Sequence, residues 1–145
     1  MVEFRRGMTI VELIVMLAIL GVLAAIAVPR AVTTMDRFSV RGATQDVVLA
    51  IAAARGAAGH RSAYVSFVAD PRTGRVRVVV SGGETLLERD LARTRGIRLE
   101  ASRESVTFAP GGLGWGAANT TVIVSKGTRS DTIVMSRLGR VRTAW

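Results

Sequence analysis

The feature that most constrains this chain is a nearly continuous apolar run, Met8 to Val28, close to the N-terminus. As an α-helix rising ~1.5 Å per residue, the run is long enough to cross the ~30 Å hydrocarbon core of a bilayer. It nevertheless contains a carboxylate, Glu12. A charged side chain costs on the order of 2.5–3.5 kcal/mol at the centre of a membrane helix, so such residues are candidates for a function.

Two interpretations of the run leave Glu12 unexplained. In the first, the run is an ordinary signal anchor, with Arg5 and Arg6 keeping the N-terminus in the cytoplasm and the rest of the chain exported. In the second, it is a cleaved secretory signal, since Ala25-Ile26-Ala27 has a small-x-small pattern. The run is longer than the usual secretory apolar region of ~7–15 residues, and neither a signal anchor nor a secretory signal needs an acid.

A third interpretation gives the acid a purpose. The stretch RRGMTIVELIVMLAILGVLAAIAVP resembles the N-terminus of type IV pilins and pseudopilins. The resemblance implies that residues 1–7 are a leader, that prepilin peptidase cleaves between Gly7 and Met8, and that the new N-terminus is methylated. Met8 departs from the usual phenylalanine at this position. Glu12 becomes the fifth mature residue, and Pro29 falls where the family often has a helix-kinking proline.

The resemblance also implies a role for Glu12 in assembly. Once subunits leave the bilayer and stack their helices, Glu12 of one subunit can face the methylated amine of Met8 on a neighbour. Opposite charges attract strongly in a medium of low dielectric constant, yet each is costly if left unpaired. The pair is therefore expected to set the register between helices more than their stability.

Beyond Pro29 the helix is predicted to continue over residues 29–59, because a proline can kink a helix without ending it. Gly42 indicates close packing or a bend, and Gly59 is a plausible C-cap. Spacing places several apolar residues on one broad side of this helix, mixed with charged ones: Val32, Met35, Phe38, Leu49 and Ala52.

From residue 62 the hydrophobic period changes to that of strands. SAYVSFVA and RVRVVVS flank the turn sequence DPRTG and predict a hairpin, with Val76, Val78 and Val80 inward and Arg75 and Arg77 outward. Further strands are predicted at GIRLEA, ESVTFA, TTVIVSK and DTIVMS, the last two joined by a turn at residues 127–130. The predicted fold is α+β and pilin-like: a long N-terminal helix, transmembrane in its first half (8–28), packed on antiparallel sheets of a β-rich domain, residues 60–145.

The sequence contains no arrangement typical of an enzyme, a metal site or a cofactor site. It has no cysteine and a single histidine, His60, so no thiolate site or histidine metal cluster can form. The glycine-rich stretch GGLGWG has neither P-loop spacing nor a dinucleotide fingerprint, and predicts a surface loop with Trp115 as an anchor or contact. We therefore expect no catalysis, metal or cofactor.

The C-terminal part carries a second resemblance. The order VTFAPGG, TTVIVSKG, DTIVMSRLGRVR resembles the C-terminal half of the GspH/FimT pseudopilin domain, including a closing GRxR-like element. That family includes minor pseudopilins of type II secretion and minor pilins of type IV pili, some of which bind DNA during natural transformation. The resemblance implies that basic residues here are DNA-binding candidates: Arg137, Arg140 and Arg142, extended by Lys126 and Arg129.

Charge fits an anionic partner without identifying one. The formal net charge is +9, from 19 Arg and one Lys against 11 acids. On a strand, Arg140 and Arg142 would point to the same side, with ~6.6 Å between their Cα atoms, a spacing suited to phosphates. Alternatively, Gly139-Arg140 is a turn of the fold and the arginines only solvate an edge strand.

Together these observations predict a minor pilin or pseudopilin of a type II secretion or type IV pilus-like filament, involved in protein secretion across the cell envelope. It would be a single-pass protein of the inner membrane with a periplasmic domain, and its partners would be other pilins and prepilin peptidase. The alternative is a FimT-type minor pilin that binds DNA. A third possibility, a secreted β-domain released at Ala27, stays open.

Overall fold

The computed structural model describes residues 8–116 and 118–144, and the predicted leader with Gly7 lies outside this range. One long helix, α1 (Ile10–Arg61), precedes all the strands, and Pro29 lies inside it without ending it, as predicted. The chain divides into an N-terminal unit that ends at Thr34 and a second unit, Met35–Trp145.

In the N-terminal unit every described residue is exposed. Large apolar side chains of this unit, from Ile10 to Val28, are uncovered on all sides of the helix. Among the described residues, α1 is the one helix long and apolar enough to cross a membrane. A helix that is apolar all round requires lipid or other helices around it.

In the second unit, α1 buries a stripe of mostly small residues at helical spacing: Val40, Ala43, Thr44, Val47, Ala50, Ile51, Ala54 and Ala58. The broad apolar side seen in the sequence is not the packing face, because Val32, Met35, Phe38, Leu49 and Ala52 are all exposed. Small side chains let the helix approach the sheets closely, and the larger ones remain outside. The helix also extends past the predicted C-cap Gly59 to Arg61, and Ser62 (φ 49°) takes the left-handed conformation after it.

Within the described residues, eight strands form two four-stranded antiparallel sheets, which confirms the α+β prediction. The first sheet has the order β3-β2-β1-β5 and is built from β1 (Val65–Asp70), β2 (Arg75–Val80), β3 (Thr85–Asp90) and β5 (Ser105–Phe108). The second has the order β4-β6-β7-β8 and is built from β4 (Arg98–Ala101), β6 (Thr120–Lys126), β7 (Arg129–Met135) and β8 (Val141–Ala144). Side chains from both sheets and from α1 form one core, including Phe67, Phe108, Ile51, Leu99 and Ile133.

The predicted first hairpin is present, and a side chain organises its turn. The Asp70 carboxylate accepts hydrogen bonds from the Thr73 hydroxyl (2.8 Å) and from the amide of Arg72 (2.9 Å), and these bonds hold the pKa of Asp70 below its usual value. Gly74 closes the turn at φ 66°. Val76 and Val78 are buried and Arg75 is exposed as predicted, whereas Val80 and Arg77 are half-buried.

Three of the described elements were not among those predicted: the strand β3, the short helix α2 (Leu91–Arg95) that follows it, and the last strand, β8. Asp90 caps α2 by accepting a hydrogen bond from the amide of Arg93 (2.8 Å), and Gly96 ends it in the left-handed conformation. The Arg95 guanidinium then reaches back to Asp46 on α1 (3.0 Å) and lies over Gly42, where a Cβ atom would collide with it. Gly42 is therefore a position of close packing.

Candidate assembly segment and basic surfaces

Met8 and Glu12 lie at the start of α1, where the structure adds a local role that the sequence analysis did not consider. The Thr9 hydroxyl accepts a hydrogen bond from the amide of Glu12 (3.2 Å), and the Thr9 carbonyl accepts from the amide of Leu13 (3.1 Å). Thr9 thus caps α1. The sequence Thr9-x-x-Glu12 is that of a capping box, a signal that was available in the sequence.

This position is favourable for an acid even before assembly. Glu12 is in the first turn of α1, where unpaired backbone N–H groups give the helix end a partial positive charge. Its side chain is exposed, as is that of Met8. The carboxylate is therefore compatible with the start of the helix and remains available to a group outside the chain.

The structure brings Arg140 and Arg142 together, although only Arg142 lies on a strand and Arg140 lies in the turn that was the alternative. β8 begins at Val141, and Arg140 belongs to the turn before it, where the carbonyl of Arg140 accepts from the amide of Ser136 (2.9 Å). Gly139 occupies the left-handed region (φ 74°) in this turn. Both arginines line one open depression of about 440 Å³, together with Val134, Ser136 and the exposed Leu138.

Two further arginines lie near this turn. Arg137 is exposed, and its carbonyl accepts a hydrogen bond from the amide of Gly114 (3.2 Å), which joins the glycine-rich loop to the turn. The side chain of Arg55, from α1, lies against Gly139 and Gly112, about 3.3 Å from where a Cβ atom at either would be. Sequence reasoning missed Arg55, since only the fold brings α1 to this loop. We call Arg55, Arg137, Arg140 and Arg142 the C-terminal arginine surface.

Lys126 and Arg129, which were predicted to extend this surface, are placed elsewhere. The Lys126 ammonium donates to the carbonyl of Arg95 (2.8 Å) and to the hydroxyl of Ser39 (3.1 Å), and it lies 3.7 Å from the carboxylate of Asp36. It therefore ties β6 to α1 and α2. Arg129 lines a different cavity, formed between α1 and β7.

The predicted glycine-rich surface loop carries an exposed aromatic pair. Trp115 is 60% exposed and meets the ring of Tyr64 edge-on, with 5.3 Å between the ring centroids. The predicted contact role of Trp115 stays a prediction. His60 is exposed in the last turn of α1, and in the described part of the chain no three acidic or histidine side chains come together as metal ligands.

Comparison with known proteins identifies the architecture. The sequence profile of a family described as type II transport protein GspH matches residues 43–139. A crystal structure of the type IV minor pilin FimU of Pseudomonas aeruginosa is similar with a TM-score of 0.63 and 17% identity, over 77% of this chain and 92% of that one. A second crystal form of that protein gives a TM-score of 0.58 at 16% identity, over 72% and 91% of the two chains.

No curated protein is significantly similar to this chain in sequence. The FimU structures share the order of one long helix followed by antiparallel sheets, so the fold is that of a type IV pilin. The profile match covers well over half of the chain and includes most of the packed part of α1 and every described strand except the last, β8. This chain belongs to the GspH family of pilin-like proteins.

Proposed function

We propose that this protein is a minor pseudopilin of a type II secretion or related type IV filament, anchored in the inner membrane by α1 until it is incorporated. Membership of the family supports a pseudopilin or minor pilin role, and proteins of this kind assemble with other pilins into a filament. The observation that carries the finer proposal is the exposed apolar surface of α1, which a protein that remained alone in water would not keep.

That surface is not confined to the part of α1 suited to lipid. In the second unit, Phe38 and Leu49 are 69% and 65% exposed, and Met35 is exposed as well. Ala52 and Gly56 continue the exposed side toward the end of the helix. Exposed apolar residues at helical spacing on a folded domain are typical of a surface that contacts another helix. We assign this side of α1 to contact with neighbouring subunits.

We further propose that the chain is cleaved between Gly7 and Met8 by prepilin peptidase and methylated at Met8. Glu12 then pairs with the amine of a neighbouring Met8 when the filament forms. Arg5 and Arg6 before the apolar run support a cytoplasmic N-terminus and an extracytoplasmic domain. The role is structural, since the relatives are structural subunits.

The absence of cysteine from the sequence makes a direct test available. A Leu49→Cys variant, expressed in the host with its filament machinery, should form disulfide-linked or bis-maleimide-linked species with other subunits carrying cysteines on α1. An Arg103→Cys variant, exposed on the turn between β4 and β5, is the control for random collision. Equal cross-linking of both variants, or unchanged cross-linking of Leu49→Cys without the assembly machinery, would contradict the assignment.

The second candidate function, DNA binding during uptake, is supported by one observation: Arg140 and Arg142 line one open depression, and the Arg55 side chain lies against the turn that also contains Arg137. Phosphate contacts by such residues are sequence-independent and weaken as salt rises. A gel shift with the soluble domain at low salt should show binding that Arg140→Ala/Arg142→Ala reduces. The control variant Arg72→Ala/Arg103→Ala removes the same amount of charge elsewhere and should still bind DNA. No binding at low salt, or equal loss in both double variants, removes this candidate.

A further inference from the structure

A cavity separate from both surfaces lies between α1 and β7. It has a volume of about 360 Å³ and is lined by Arg37, Val40, Arg41, Arg129, Ser130 and Asp131. We call it the α1–β7 cleft. Arg37 is the third residue of the second unit, so the cleft lies where the chain enters the folded domain. The turn between β6 and β7 is at this same end, with Gly127 against the Asp36 carboxylate.

The cleft carries an excess of positive charge. It holds three guanidinium groups and one carboxylate, and that carboxylate, Asp131, already accepts a hydrogen bond from the Thr44 hydroxyl (2.9 Å). Within the described residues, no ion pair involves Arg37 or Arg129, whereas the nearby Lys126 has Asp36 beside it. Two cationic side chains thus border a recess whose one carboxylate, Asp131, forms no ion pair with either of them among the described residues.

The geometry suits a phosphate ester more than a small inorganic ion alone. A planar guanidinium offers paired N–H donors that match the oxygens of a phosphate, and arginines on two facing elements can hold one phosphate from both sides. The volume of the cleft exceeds the need of one phosphate and leaves room for an attached group. Ser130 adds a hydroxyl at the rim.

We propose that the α1–β7 cleft binds the phosphate of an anionic phospholipid headgroup. Arg37 comes nine residues after Val28, the last of the apolar run. Even fully extended, this stretch spans at most ~32 Å, so a membrane that holds the apolar run keeps lipid headgroups within reach of the cleft. Such a contact would hold the domain at the membrane surface before the subunit is extracted. The proposal depends on membrane anchoring but not on filament contacts.

The experiment measures binding of the domain Met35–Trp145 to vesicles by co-sedimentation. This fragment contains every buried core residue of the described chain, Val40 to Met135, so its core is complete without the apolar run. One vesicle set is phosphatidylcholine alone, and the other is an equimolar mixture with phosphatidylglycerol. Arg37→Gln/Arg129→Gln removes the two unpaired cations of the cleft, and Arg72→Gln/Arg103→Gln is the charge-matched control.

The domain should bind the phosphatidylglycerol vesicles and not the neutral ones. A basic side chain near an anionic surface strengthens binding roughly five-fold, so the cleft variant should lose about 25-fold in affinity. The control variant should lose no more than about two-fold, because screening confines the effect to groups within ~10 Å of the lipid. Equal losses in the two variants, or no preference for anionic vesicles, would overturn the proposal.

A second measurement separates lipid from free phosphate. In NMR spectra of the domain, inorganic phosphate should shift the Nε–Hε signals of Arg37 and Arg129, at an ionic strength where chloride does not. A phosphate response without any preference for anionic vesicles would assign the cleft to a soluble phosphate compound and overturn the lipid assignment. Loss of vesicle binding leaves the Leu49→Cys cross-linking result untouched, so the two proposals fail independently.

Discussion

Two aliphatic residues of α1, only two positions apart, are expected to respond in opposite ways to truncation. Ile51 is 1% exposed and packs in the core, whereas Leu49 is 65% exposed on the side assigned to neighbouring subunits. Ile51→Ala removes buried methyl and methylene groups and leaves a cavity, which costs ~2–4 kcal/mol of unfolding free energy. Leu49→Ala removes an exposed side chain and replaces it with a good helix former, so the change should stay within ~0.5 kcal/mol.

The measurement is urea or thermal unfolding of the domain Met35–Trp145. For a domain of this size, ~1 kcal/mol shifts the melting temperature by ~4 °C, so Ile51→Ala should melt about 10 °C lower and Leu49→Ala within about 2 °C of the parent. In the full-length protein, Leu49→Ala should instead reduce incorporation into filaments. Similar destabilisation by both variants would refute the assignment of an inner and an outer side to α1.

Three further changes test local features of the domain. Asp90→Ala should lower the melting temperature at neutral pH. Hydrogen bonds from the amide of Arg93 and from Arg75 hold the pKa of Asp90 below its usual 3.8. The stabilisation that Asp90 provides should therefore be complete above pH 3.8 and be lost as the pH falls through the lowered pKa. Gly42→Ala should leave the unfolding free energy of the parent nearly unchanged, because the added Cβ displaces Arg95. The same change should stabilise an Arg95→Ala variant by ~1 kcal/mol, and a double-mutant cycle measured by urea unfolding can show the difference. Ser62→Gly should raise stability by ~0.5–1 kcal/mol, because it relieves a left-handed conformation, and no change in its unfolding midpoint would contradict the assigned φ.

The helix and the first hairpin were predictable because each has a strong local signal. The apolar run and the absence of a terminating pattern at Pro29 predict α1, and DPRTG between alternating strands predicts the turn at Asp70. The choice of packing face was not predictable in the same way. Hydrophobicity favours Phe38 and Leu49, but the sheets need a helix surface of small residues such as Ala43 and Ala50 for close approach.

The missed strand β3 shows why edge strands are difficult to predict. TLLERD lacks alternation of apolar and polar residues, because β3 lies at the edge of its sheet and none of its residues is fully buried. The helix α2 is only five residues long, too short for a hydrophobic period, although Asp90 and Gly96 are recognisable capping residues.

Which basic residues lie together in the fold was likewise not predictable from the sequence. Position along the chain grouped Lys126 with Arg140, but Lys126 binds the carbonyl of Arg95 within the domain. Arg55, far away in sequence, lies instead against Gly139. Net charge and motif indicated that an anionic partner was possible. Only the folded arrangement divides the arginines into the C-terminal arginine surface and the α1–β7 cleft.

The central claim, that this chain is processed and assembled as a pilin-like subunit, is tested most directly by the mature N-terminus. Protein purified from the host membrane, analysed by N-terminal sequencing and intact mass, should begin at Met8 and carry a methyl group on its amine. A chain that begins at Val28, after Ala27, would identify a secretory signal and contradict the account. An uncleaved chain that retains Gly7 and the leader would likewise remove the amine that Glu12 is proposed to meet.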